Sequence, residues 1–166
     1  MDNTHLHLML THVPIVGMII GTIMLIFALI RKSEQLKEFS LALLVIMALV
    51  TIPVFLTGEP AEETVENIAG IPEVVIEEHE ESAEIAIWIM MAAGALSLIS
   101  LVTMKMHIPA SSMVVKISLA VCLLATGAMA RTGYLGGQIR HSEIREGGMA
   151  NAQVQPAGGQ GEEDDD

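Results

Sequence analysis

At 166 residues the chain suits one domain, and a composition of 52% hydrophobic and 17% charged residues, with a mean hydropathy of +0.56, holds more apolar surface than a soluble domain of that size can bury. The formal net charge is -12, and so acidic a chain lacks the Lys and Arg clusters that a phosphate backbone requires, which excludes nucleic acid as a partner. One cysteine, Cys122, excludes an internal disulfide and reads as a small buried hydrophobe.

In chain order, four apolar blocks stand out, each near the 20 or so residues that a bilayer-crossing helix needs. They cover about 13–30, 39–56, 85–104 and 113–135, and none carries an acidic residue in its middle. Backbone polar groups in lipid must be satisfied within the segment, and no polar–apolar alternation of the barrel type is present, so all four are predicted as helices. The fold expected is all-α: an integral membrane four-helix transmembrane bundle occupying residues 1–146. Arg31 and Lys32 follow the first block as they follow a retained spanning helix, and no cleavage site is evident.

The first connection, R-K-S-E-Q-L-K-E, carries Arg31, Lys32 and Lys37; the third carries Lys105, with Lys116 one turn into the next helix. By the positive-inside rule both face the cytoplasm. The second connection holds ten glutamates between Glu59 and Glu84 and no Lys or Arg, which makes it the outer, periplasmic side of a bacterial inner membrane and puts both termini there too. Arg131, Arg140 and Arg145 at the outer end of the fourth helix oppose this assignment mildly. Within the outer connection, Gly58, Glu59 and Pro60 should stop the second helix. Residues 61–69 should form a short helix ended by Gly70, and residues 73–82 should run into the third span. Residues 147–166, rich in Gly, Gln and Ala and closing on E-E-D-D-D, read as a disordered acidic tail. Gly17 and Gly21 on the first helix, Ala92, Gly94 and Ala95 on the third, and Gly127 and Gly133 on the fourth offer small faces for close helix packing. A sharper reading makes some of these glycines room for a flat cofactor. Both hairpins run out–in–out, a hint of an old duplication.

Five of the six histidines fall at the outer face on this topology. His12, His79 and His141 are far apart in sequence, yet each lies near the outer end of a different helix. Imidazole is the commonest metal ligand and an axial haem ligand. The leading expectation is therefore a non-enzymatic redox or accessory subunit. It would hold a b-type haem or a transition-metal ion through His12, His79 and His141, with Arg131 toward a propionate or glutamate and Glu59 completing a metal shell. Its partners would be the lipid bilayer, other membrane or periplasmic redox proteins, or a second copy of the chain. The plainer expectation is a cofactor-free structural or accessory protein that docks a periplasmic partner, its histidines being ordinary interfacial polar residues. His5 and His7 belong on this reading to a flexible N-terminus, and His107 is solvated. No G-x-S-x-G, H-E-x-x-H, C-x-x-C or phosphate-binding loop is present, so no catalytic residues are assigned. The spans have almost no polar residues, which argues against a transport site at the midplane.

The opening H-L-H-L-M-L-T-H-V-P-I-V-G (5–17) resembles the N-terminal H-P-x-x-V-H-F-P-I signature of a group of small bacterial membrane proteins, domain-of-unknown-function family 2231. T-G-E-P (57–60) is similar to that family's glycine–acidic motif after the second helix. His79 is similar to its histidine before the third, and G-Y-L-G-G-Q-I-R-H (133–141) to its closing G-x-L-G-G. The resemblance covers about residues 5–145 and implies a four-helix membrane topology with a polar cluster, but no reaction. The family's H-P pair is H-L here, at His7 and Leu8, and its aromatic before proline is Val13. Those departures touch the role of His7 more than that of His12.

Overall fold

The computed structural model describes residues 3–66 and 72–141. These form α1 (Asn3–Arg31), α2 (Glu34–Leu56), α3 (Gly58–Glu66), α4 (Glu73–Lys105) and α5 (Ser111–Arg140). Four of these, α1, α2, α4 and α5, are long and apolar enough to cross a membrane, and they pack as a bundle. The tail at 147–166 and the helix stop expected at Gly70 lie outside the described residues.

The apolar blocks form helices because lipid leaves the backbone no other partner, and the ends are set locally. Both turns at the basic pole, inner on the expected orientation, are built the same way. Lys32 (φ 53°) and His107 (φ 52°) take the left-handed conformation that ends a helix. Ser33 N–H then reaches Ala28 O at 3.1 Å, and Ile108 N–H reaches Thr103 O at 3.0 Å. This is the six-to-one bond of a Schellman cap, made twice. Ser33 also starts α2, its Oγ accepting from Leu36 N–H. At the outer end α2 stops at Leu56, and α3 begins at Gly58, three residues earlier than the 61–69 expected. α4 runs unbroken from Glu73 through the third apolar block.

α1 departs most from expectation. It starts at Asn3, some three turns before the apolar block, and passes through Pro14, which is buried inside it. A proline near the start of an apolar run resembles a helix opening, because its missing N–H costs nothing in the first turn. Here the helix continues through it, which fixes the rotational phase of the histidines before it.

The core runs along the bundle axis through Met18, Leu25, Leu41, Leu44, Met90 and Cys122. Glycine lets the helices approach: a Cβ on Gly21 would come 2.8 Å from the Leu44 side chain, and one on Gly17 or Gly94 would overlap Met47 or Ala48. Gly127, by contrast, faces open space. The spans also carry hydroxyls that the apolar count concealed. Thr22 meets Thr126 at 3.2 Å, Ser97 meets Ser118 at 3.1 Å and Ser82 meets Thr132 at 2.8 Å, each pair joining two helices. Ser40, Thr51 and Ser100 bond back to carbonyls one turn earlier in their own helices. These bonds act as polar glue between and within the helices. At the inner end Lys105 bonds Glu38 at 2.5 Å, tying α4 to α2.

Candidate functional site

The outer end of the bundle is where the chain's polar chemistry collects, but the histidines there sort differently from the sequence expectation. His7 and His79 turn inward; His12 and His141 are exposed. Helical phase gives the reason for the first pair on α1. Five residues along an α-helix advance about 140° beyond a full turn, so when His7 faces the bundle His12 faces away. The His12 ring bends back along its own helix, Nδ1–H donating to Leu8 O at 2.9 Å.

His7 crosses from α1 to the end of α2. Its Nδ1–H donates to Val54 O at 3.1 Å and lies 3.2 Å from Thr57 Oγ1, itself bonded to Val54 O. The chain breaks between α2 and α3 beside this ring, with Gly58 next to it. His79 crosses from α4 to α5 in the same way, its Nδ1–H donating to Thr132 O at 3.1 Å. A Cβ on Gly136 would stand 3.0 Å from the His79 ring, so a larger residue there would press on the imidazole. Donation to a carbonyl fixes Nδ1 as the protonated nitrogen of both rings. The two rings are within electrostatic range of each other.

On their own helices both rings precede the apolar runs 13–30 and 85–104, and the carbonyls they bond, Val54 O and Thr132 O, belong to the ends of the neighbouring spans. His79 sits in E-E-H-E-E, flanked by exposed carboxylates that cannot enter hydrocarbon, and His7 is bonded beside the start of acidic α3. Burial holds both imidazoles below their ordinary value near 6.5, against the opposing pull of the carbonyl each bonds; for His79 the neighbouring His7 lowers it further.

The expected metal or haem centre is overturned. Among the described residues no three His, Cys, Asp or Glu side chains come together where they could hold a metal ion. His12, His79 and His141 do not converge: His12 is turned out from α1, and His141 is exposed just past the end of α5. Glu59 on α3 and Arg131 on α5 are exposed as well. Neither the b-type haem nor the transition-metal ion has the histidine cluster it was expected to bind, and what the bundle presents is an inward pair, His7 and His79. His7 was the residue that sequence reasoning discounted. The signal that could have restored it is its spacing: carrying the helical phase of Gly17 and Gly21 back through Pro14 puts His7, not His12, on the inner side.

No curated protein and no solved structure gives a significant match to the chain. The family model described as "Predicted membrane protein (DUF2231)" matches residues 3–143. That match spans α1 to the end of α5 and takes in the inward histidines, the break at Thr57 and Gly58, and the glycine beside His79, and the chain therefore belongs to this membrane protein family.

Proposed function

We propose that the protein is a cofactor-free accessory protein of the bacterial inner membrane, without catalytic activity of its own, whose acidic outer end docks a basic partner in the periplasm. The observation that carries this reading is a dense run of exposed carboxylates. Glu59, Glu63, Glu73, Glu77, Glu78, Glu80, Glu81 and Glu84 are all exposed at the outer end, and no Lys or Arg occurs between residues 57 and 84. A field of one sign raises encounter rates with an oppositely charged protein and fixes its orientation. α4 supports that field on a rigid rod, since the helix carrying Glu73–Glu84 is continuous with a membrane span.

The test is photo-crosslinking in living cells from a reactive side chain placed at Glu84. A discrete crosslinked partner is expected, lost when Glu77, Glu78, Glu80 and Glu81 are together changed to Gln and weakened by added salt. No crosslinked partner, or one indifferent to neutralisation in a variant of unchanged helicity, sinks the docking reading. Protein purified from cells supplied with haem and metals is expected to be colourless and free of stoichiometric metal. A Soret band would overturn the cofactor-free part independently.

A further inference from the structure

The two halves of the bundle carry the same device. In α1–α2 a histidine near the outer end of the first helix, His7, bonds a backbone carbonyl of the second, Val54 O, beside Gly58. In α4–α5, His79 bonds Thr132 O beside Gly136. Each hairpin closes at the inner end with a left-handed cap residue, Lys32 or His107. The repeated arrangement brings the two rings within electrostatic range where the hairpins meet.

We propose that His7 and His79 form a paired, acid-released latch that holds the outer end of the bundle closed. Each neutral ring donates one N–H to a carbonyl of the next helix and sits half-buried against a glycine. Adding a proton to each would place two like charges within electrostatic range of each other, each in a partly dehydrated site, which favours an arrangement in which both rings reach water. α2 contributes no titratable side chain between Glu38 and its end at Leu56, and Arg131 and Tyr134 on α5 are exposed. Glu59 and Glu63 on α3, with Glu78 and Glu80 beside His79, are exposed, so water and salt screen their pull on the imidazoles; Glu62 on α3 is half-buried and favours the charged rings, and His5 and His141 are exposed. Because burial lowers the closed-state value of both rings, the stabilisation they give is fully present above about pH 6.5 and is lost as pH falls through the lowered value.

The test uses the full chain in lipid nanodiscs, with Cys122→Ser as background and spin labels on exposed positions. One pair reports the outer end (Leu56→Cys with Tyr134→Cys) and another the inner end (Phe39→Cys with Met113→Cys). Between about pH 8 and about pH 5 the outer distance is expected to lengthen and broaden while the inner one stays fixed. The change should vanish in His7→Gln/His79→Gln and persist in His12→Gln. Should the double variant fail to fold, His7→Gln alone should raise the midpoint of the transition, because the remaining His79 loses its like-charged neighbour. An outer distance insensitive to pH overturns the latch. So does an acid transition that survives in the double variant, which would assign the trigger to the glutamates, or a midpoint unmoved in His7→Gln.

Discussion

At the scale of single residues, two glycines with the same name have opposite roles. Gly94 exists for contact: an added Cβ would overlap that of Ala48, and neither group is a flexible end that can move aside. Gly94→Ala should therefore force α4 from α2 and destabilise the bundle by about 1–3 kcal/mol. Gly127 touches nothing with its missing side chain, so Gly127→Ala should stabilise its helix by up to about 1 kcal/mol. Denaturation in mild detergent followed by circular dichroism separates the two, and a loss at both positions would mean that Gly127 has a neighbour outside this chain. Both glycines were visible in the sequence as small residues at helical spacing. Which of them is used was not, because that depends on the phase of each helix about the bundle axis. The same missing information explains the histidines: composition counted five at one face, whereas phase admits His7 and His79 and expels His12.

At the scale of elements, length and hydropathy gave the four long helices directly, since a run of about 20 apolar residues has few other solutions. The breaks were less legible. Gly58, Glu59 and Pro60 were read as a stop, and the stop is real, but it is a one-residue interruption at Thr57 between two helices, with all three residues inside α3. The pairs Thr22–Thr126, Ser97–Ser118 and Ser82–Thr132 could not be read at all. A lone Ser or Thr in an apolar run is ordinary, and only the packing of helices shows that it has a partner. The two inner turns allow a sharper statement. Lys32 and His107 both adopt positive φ with a side chain attached, a conformation that costs L-residues about 1–2 kcal/mol and glycine almost none. Lys32→Gly and His107→Gly should each raise the melting temperature, and together they should act additively because the turns are built independently. A fall in either variant would show that the side chain makes a contact worth more than the strain.

At the scale of the whole molecule, the paths of the helices place α1's start, the α2–α3 junction, α4's acidic turn and α5's end together, with the basic turns at the other pole. That polarity was legible from charge alone, and it implies an orientation. In intact cells a membrane-impermeant thiol reagent should label Glu77→Cys and leave Gln35→Cys unmodified, both in a Cys122→Ser background, until the membrane is broken. The reverse pattern would invert the protein and remove the periplasm from its proposed partner. A cofactor reading was also drawn from whole-molecule topology, and it failed because topology brings helix ends near one another without deciding where their side chains point.

The seams between neighbouring helices are unequal. α4 and α5 are joined most extensively, then α1 with α2 and α2 with α4, whereas α1 meets α5 over a much smaller stretch, fastened by the Thr22–Thr126 bond and by Ile15 lying against Gly133. A closed ring with one thin edge behaves like a book with a clasp. If the molecule parts, it does so there first, swinging its two hairpins about the α2–α4 contact as a spine and turning the hydroxyls of Thr22 and Thr126 toward the surrounding lipid.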